Sequence, residues 1–289
     1  MKHLFCFGLG YSARELARRL QAQGWKITGT CRTEVGAAAL RAQGMAARRF
    51  DRDNPPEDAA ADLAGVTHIL SSVPPDALGD PVLEHYGPAM AALESLAWAG
   101  YLSTTGVYGD RAGGWVNENS ALAPTGARGR NRVAAETGWL ALWRASEVPV
   151  HLFRLAGIYG PGRSALDTIR SGQAQRIIKP GQVFSRIHVA DIAATLEASI
   201  TRPNPGAAYN VCDDNPAPPD EVLAFAATLL GAPMPPAQPF ETATLSEMAR
   251  SFYADNKRVA NERIKRELGV RLSYSDYRAG LKALLDGGQ

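Results

Sequence analysis

Apolar and polar positions follow two rhythms along the first half of the chain. Short apolar runs predict strands at His3–Gly8, Trp25–Cys31, Met45–Phe50, Val66–Val73, Tyr101–Thr104 and Val150–Leu155. Between them the spacing is helical. Tyr11–Gln23 carries Leu16, Ala17 and Leu20 on one face and stops at Gly24, Glu34–Gln43 stops at Gly44, and Val82–Trp98 and Arg128–Ser146 follow. Strands alternating with helices of this length predict βαβ units, hence a parallel sheet with helices on both faces and right-handed crossovers. After about Ile158 the pattern loosens. Pro and Gly thicken at Gly160–Pro161–Gly162, Pro180–Gly181, 216–219 and 232–239, and helical patterns dominate. Phe184–Val189, the helix Ala190–Ile200 and Ala208–Val211 read as a return to the sheet. The expected α/β organisation is a doubly wound parallel sheet (1–158 plus about 184–212) with a small, mostly helical lobe (159–183 plus 213–289). A cleft between the two is the default ligand site.

Composition narrows the class. At about 150 residues per domain, 289 residues suit one large domain or two intertwined ones. A hydrophobic share of 45% and a charged share of 21% exclude disordered, collagen-like and coiled-coil chains. The 31 basic and 29 acidic residues leave a net charge of +2, which argues against a dedicated nucleic-acid binder. Cys6, Cys31 and Cys212 are odd in number and far apart, so neither a disulfide framework nor a structural zinc site is expected. His3, His68, His85 and His151 lack metal-ligand spacing. No apolar run approaches the ~18 residues of a membrane helix. The start, 1–10, resembles a signal peptide only superficially: Gly8 and Gly10 break its apolar stretch, and charge returns at Arg14 and Glu15. The expectation is a soluble cytoplasmic protein, monomer or homodimer, with a small-molecule substrate and no membrane or nucleic-acid partner.

Phe7-Gly8-Leu9-Gly10-Tyr11-Ser12-Ala13 reads GxGxxA directly after a strand and opening a helix. In such a turn Gly8 permits the tight bend, Gly10 lets the backbone approach a pyrophosphate, and Ala13 allows close helix–strand packing. Together with the helix N-terminus these residues predict a dinucleotide site comprising Gly8, Gly10, Tyr11, Ser12 and Ala13. The alternative is a merely structural turn. The second strand ends in Thr30-Cys31-Arg32-Thr33, with no carboxylate to accept from a ribose 2′-hydroxyl. Arg32 supplies a guanidinium fork suited to a 2′-phosphate, so NADP is expected before NAD, with Thr33 beside it. Arg32 could also be an exposed residue preceding a helix. Asp51 is placed to accept from the adenine amino group or to serve as a turn residue. Ser72, in the fourth strand, is counted with the cofactor set.

Several further stretches, taken in order, resemble the extended short-chain dehydrogenase/reductase family of NAD-dependent epimerases and dehydratases, most of all its atypical, YeeZ-like branch. They are Ser103-Thr104-Thr105-Gly106-Val107-Tyr108-Gly109-Asp110, then Arg154-Leu155-Ala156-Gly157-Ile158-Tyr159-Gly160-Pro161-Gly162, then Phe184-Ser185-Arg186-Ile187-His188-Val189-Ala190-Asp191-Ile192-Ala193, and Tyr209-Asn210-Val211. The resemblance covers nearly the whole chain and implies a Rossmann-like domain of about seven strands with a C-terminal substrate lobe.

It breaks at the family's catalytic Tyr-x-x-x-Lys. Aligned on Ala135-Glu136, those two positions are Arg128 and Arg132. A tyrosine beside a lysine gives and takes a proton near neutral pH, whereas arginine stays protonated. Arg128 therefore cannot be the general acid/base, although it could stabilise an oxyanion, and Arg132 could hold ribose hydroxyls as a donor only. The alternative for Arg128, Arg132 and Glu136 is a salt-bridged solvated helix face. Thr104 aligns with the family's Ser/Thr and could orient a substrate oxygen, and Tyr108 is a conceivable substitute proton donor. Where nucleotide-sugar members have Arg-x-x-Asn, Arg154 is followed by Gly157, which makes a nucleotide-diphosphate sugar doubtful. Arg163, Arg176, Lys179 and Arg186 are basic residues that could meet an anionic ligand, with Arg163 and Arg186 the substrate-binding candidates. Asp191 is expected to cap or lead the helix after it, and His188 to be structural. Two functions stay open: an NADP-dependent oxidoreductase or epimerase-like enzyme, and a non-catalytic dinucleotide-binding sensor or partner-binding module.

Overall fold

The computed structural model describes residues 1–287. In chain order its first elements are β1 (His3–Phe7), α1 (Tyr11–Ala22), β2 (Lys26–Cys31), α2 (Glu34–Ala42), β3 (Ala46–Arg49), α3 (Ala59–Asp62), β4 (His68–Ser71), α4 (Pro81–Ala91), β5 (Trp98–Thr104) and β6 (Trp115–Val116). There follow α5 (Ala127–Ser146), β7 (Val150–Leu155), β8 (Gly157–Tyr159), α6 (Ala165–Arg170), β9 (Arg176–Ile178), β10 (Arg186–His188), α7 (Val189–Thr201) and β11 (Ala208–Val211). The chain closes with α8 (Pro219–Leu230), β12 (Ala237–Pro239), α9 (Glu247–Phe252), β13 (Arg258–Val259), α10 (Glu262–Leu268) and α11 (Tyr277–Asp286). No helix among the described residues is long and apolar enough to cross a membrane.

Contacts divide the chain into two compact units. The first holds Met1–Thr104, Ala127–Arg154 and Ala193–Tyr209, and the second holds Thr105–Gly126, Leu155–Ile192 and the described residues from Asn210 onward. The central sheet has seven strands in the order β11-β7-β5-β4-β1-β2-β3, an α/β Rossmann-like arrangement. Leu4 of β1 lies level with Ile27 on one side and His68 on the other, both parallel. Strands buried on both faces read as unbroken apolar runs, which is why β1 is buried at every position. Strand order reverses between β1 and β4, and the crevice beyond the carboxyl ends of such a pair is where doubly wound sheets bind ligands.

The helix expected over Val82–Trp98 stops at Ala91, and Trp98 opens β5 instead. The cause is tertiary. Trp98 pairs with His68, its indole N–H donates to Ser199 Oγ at 3.0 Å, and a Cβ on Gly100 would lie 2.2 Å from its ring. The expected return of Phe184–Val189 to the sheet also fails. Arg186–His188 pairs with Gly157–Tyr159 in a separate two-stranded sheet, and of that stretch only β11 joins the central one. In the second unit β6 pairs with β13 and β9 with β12, so Thr105–Gly126 groups there rather than with the strands it follows. Tyr159, Leu166, Val222, Ala226, Tyr277 and Leu281 form this unit's main core. Asp191 ties rather than caps: its carboxylate accepts from the amides of Ser273 (2.7 Å) and Tyr274 (3.1 Å).

Burial removes Glu136 from any solvated salt-bridged face shared with Arg128 and Arg132. Glu136 is 2% exposed and accepts from Arg154 of β7, Nη2 at 2.8 Å and Nε at 3.1 Å, and from Ser103 Oγ of β5 at 2.5 Å. A buried pair is costly to break because the survivor keeps an uncompensated charge. Glu136→Gln is expected to lower the unfolding free energy by about 3–5 kcal/mol, read as a shift of the urea midpoint at unchanged slope.

Candidate functional site

The glycine turn is held from two neighbouring strands. Gly8 has φ +74°, a left-handed conformation suited to glycine. Its N–H donates to Thr30 Oγ1 (2.9 Å), the Leu9 N–H to the Thr30 carbonyl (2.7 Å), and the Ser72 hydroxyl donates to the Gly8 carbonyl. A Cβ on Gly8 would sit 2.9 Å from Ser72 Oγ, whereas one on Gly10 would meet nothing nearer than the Gly8 carbonyl at 3.8 Å. Gly10 thus keeps an open approach to the first turn of α1, which has neither a side-chain cap nor an acidic residue. The amides there could donate to an anion such as a pyrophosphate. Ser12 and Ala13 are buried in α1 and Tyr11 is half-buried at its start.

At the end of β2, Arg32 and Thr33 are exposed. Thr33 caps α2 by accepting from the Gly36 amide at 3.1 Å. Arg49 Nε donates to the Arg32 carbonyl at 3.2 Å, so two arginines meet here. Burial raises the Cys31 thiol pKa, and among the opposing influences are the nearby Arg41 and Arg14 guanidinium groups. Glu34, which pushes it further up, is paired with Arg41. Asp51 is a turn residue: Oδ1 accepts from Asn54 Nδ2 (2.6 Å) and the Asp53 amide (3.0 Å), and Oδ2 lies 3.4 Å from Arg49 Nε. The Asn54 hydrogen bond is the main cause of its lowered pKa.

The positions aligned with catalytic groups separate in character. Arg128 is exposed. Arg132 is half-buried and anchored, Nη1 donating to the Leu102 carbonyl (2.7 Å) and to the Tyr101 hydroxyl (2.9 Å). Burial raises the Tyr101 pKa against the pull of Arg132, and its ring stacks on Trp139. Thr104 is half-buried at the end of β5. Tyr108 is unsuited to donate a proton to a substrate. It is fully buried, and its hydroxyl donates to Asn210 Oδ1 at 2.7 Å.

Within the second unit a cavity of about 690 Å³ brings Arg163 and Arg186 together. Tyr159, Tyr277, Val222 and Leu281 are among its other walls. Arg186 Nη1 donates to the carbonyls of Phe184 (2.9 Å) and Ala217 (3.0 Å), and no carboxylate among the described residues lies within ion-pairing distance of it. Burial lowers its pKa, opposed chiefly by Asp213. Arg176 and Lys179 are not in the wall, and Lys179 donates instead to the Tyr253 carbonyl over the Phe240 ring. Gly157 lies in β8, where a Cβ would press on the Ser185 carbonyl at 3.3 Å. His188 is a packed residue, its Nδ1 accepting from the Ala190 amide at 3.2 Å and its ring edge-on to Tyr159.

Sequence reasoning missed Thr30, Gly29 and Asp213. A Cβ on Gly29 would strike Leu9 at 2.8 Å, so this glycine lets the turn pack on β2; its isolation inside an apolar strand was the available signal. Nothing local marks Asp213 as buried. Among the described residues no group of three or more His, Cys, Asp or Glu side chains could hold a metal ion.

No family model matches the chain. It is 53% identical to a conserved protein of unknown function from Silicibacter pomeroyi DSS, over 100% of both chains with a TM-score of 0.91. Protein YeeZ of Escherichia coli K12 is 28% identical over 96% of this chain and 97% of its own. A Methylobacillus flagellatus structure provisionally assigned as an NAD-dependent epimerase/dehydratase is 27% identical, covering 99% and 98% of the two chains, with a TM-score of 0.74.

The two turn glycines are expected to differ on substitution. Gly8→Ala combines a left-handed φ with a clash and should cost about 1–3 kcal/mol in chemical unfolding. Gly10→Ala should stay within about 0.5 kcal/mol of the unmodified protein.

Proposed function

We propose that the chain, which resembles the epimerase/dehydratase type of short-chain dehydrogenase/reductase and its YeeZ-like branch, is an NADP-dependent oxidoreductase or epimerase-like enzyme. Its substrate is a small anionic molecule, and it works without the type's Tyr-x-x-x-Lys. The observation that carries the reading is the glycine turn, with Gly10 leaving the uncapped first turn of α1 open to a pyrophosphate. The donor set fits a dinucleotide there. When bound, the nicotinamide supplies hydride transfer. The chain's own residues do the rest. Gly8, Gly10 and the amides after Tyr11 bind the pyrophosphate, with Ser12 and Ala13 packing the helix against β1. Ser72 and Thr30 hold the turn in shape.

Arg32 meets the 2′-phosphate of NADP, helped by Arg49 and by the absence of a free acid at the end of β2. Arg132, pinned on Leu102, is a fixed positive charge that donates but never relays a proton. In the first unit Thr104 orients a substrate oxygen and Arg128 offers charge to a developing oxyanion; within the second unit Arg163 and Arg186 line a cavity suited to an anionic group.

A second reading is a non-catalytic dinucleotide sensor. The two arginines in place of Tyr and Lys favour it, as does the Tyr108 hydroxyl engaged with Asn210. Mass spectrometry of ligands that co-purify separates the two. A reducible small molecule recovered with the dinucleotide supports the enzyme, and dinucleotide alone supports the sensor.

NADP(H) is expected to bind about tenfold or more tighter than NAD(H), since a charge-assisted contact is worth about 1.5–3 kcal/mol and 1.4 kcal/mol is tenfold. Arg32→Ala should erase most of that margin and leave NAD(H) affinity nearly unchanged. Titration calorimetry with both cofactors checks this, and an NAD(H) preference in the unmodified protein would refute it. Turnover on standard nucleotide-sugar epimerase and dehydratase substrates should be negligible, because neither Arg128 nor Gly157 can do the work of the residue it replaces. Spectrophotometric assays on those substrates are the check, and robust turnover on any one sinks the reading.

A further inference from the structure

Arg186 is a guanidinium in a cavity wall that donates to two carbonyls and has no ion-paired carboxylate among the described residues. A half-buried charge of this kind is short of a counter-ion. A candidate inside the fold is Asp213, whose charge is the main influence opposing burial at Arg186. Its amide donates to the Arg186 carbonyl at 2.7 Å, so the two residues are backbone neighbours across the turn after β11. The Asp213 side chain is 1% exposed. Oδ1 accepts only from the Asn215 amide at 3.2 Å, and Oδ2 has no hydrogen-bond partner. Thus one buried carboxyl and one under-compensated cation belong to backbone neighbours that feel each other's charge without forming a salt bridge.

Resting on the reading of this cavity as the anion site, we propose that Asp213 is an internal competitor for Arg186. While the carboxyl is neutral, the guanidinium charge is left to the ligand; once it ionises, the carboxylate compensates Arg186 and the ligand loses its hold.

The surroundings set the pH at which this happens. Burial pushes the Asp213 pKa up to about 8; the Asn215 amide and Arg186 pull it down, while Asp214 and Asp276 push it further up. Tyr159, whose hydroxyl donates to the Asp276 carbonyl at 3.3 Å, feels Asp213, Asp191 and Asp276 together and is itself held neutral by burial. Tyr277, at the start of α11, is likewise raised by burial. The two tyrosines stay uncharged where Asp213 titrates, which leaves Arg186 as the group that responds. A bound anion would raise the Asp213 pKa further, so binding above pH 8 takes up a proton and weakens as pH rises. Ionised Asp213 also costs stability. Its folded pKa of about 8 lies above the ordinary 3.8, so the folded state holds the extra proton between those values. Stability is fully present below the lower value and falls as pH rises toward the upper one.

The test uses the full chain and octanesulfonate, whose charge does not titrate, by calorimetry from pH 6.5 to 9.5. The expected affinity is level up to about pH 8 and then falls by up to about tenfold per pH unit, one proton being linked. Asp213→Asn should bind as tightly at pH 9.5 as at 6.5, and Arg186→Gln should lose about tenfold or more at pH 6.5. A flat profile in the unmodified protein, or an unchanged slope in Asp213→Asn, overturns the competitor and leaves the cavity standing. Absence of binding, or unchanged binding by Arg186→Gln, overturns the cavity reading and the competitor with it. A ligand-free readout stands beside these. The unfolding free energy of the unmodified protein should decline across pH 5–8 relative to Asp213→Asn, and parallel profiles overturn the proposal.

Discussion

A buried two-pronged ionic contact, Arg154 on Glu136 with Ser103 adding a third hydrogen bond, fixes how the long helix α5 lies on its sheet. Neither charge can be released without leaving the other stranded in the interior, so α5 cannot roll. Its register then dictates what the rest of the helix does. One turn earlier, Arg132 lands on the Leu102 carbonyl and the Tyr101 hydroxyl. Three residues later, Trp139 stacks on Tyr101 and donates its indole N–H to Asp80, whose carboxylate also caps α4. Burial raises the Asp80 pKa against these donors. Two helices and two strands are thus oriented through one buried charge pair and the aromatic stack beside it.

The same rigidity explains what this chain can and cannot do chemically. Arg128 and Arg132 of α5 offer charge and directed N–H groups but no transferable proton. Arg132 is moreover held at a backbone carbonyl, which favours positioning over motion. In the second unit the pattern repeats in another form: Arg186 is pinned by two carbonyls and faces a cavity with aromatic and aliphatic walls. Each presents a guanidinium held on backbone carbonyls. They differ in that Arg186 has a buried carboxyl at its shoulder, which gives that charge a pH-dependent rival.

Much of the first unit could be read directly. The βαβ rhythm, the glycine turn and its helix, the strand Val150–Leu155 and the helix Glu34–Ala42 all follow from spacing that a residue shares with neighbours two to four positions away. The lack of an acid at the end of β2 is equally local. Failures occurred where a distant partner decided. The helical pattern runs past the end of α4 because an apolar, alanine-rich stretch is compatible with either state until pairing with β4 selects the strand. Arg186–His188 looked like a sheet strand because its apolar pattern cannot say which strand it will join.

Sequence by itself determined most of the element types, the glycine turn at Gly8 and Gly10, the arginine at the end of β2 and the two arginines on α5. Those are statements about residue identity and short spacing. Only the tertiary structure decided that Glu136 is buried on Arg154, that the Tyr108 hydroxyl is taken by Asn210, 102 positions away, and that Asp213 lies beside Arg186 with its charge suppressed. Burial, ion pairing and shifted acidity belong to pairs of residues brought together by folding, and no local pattern contains the second member of the pair.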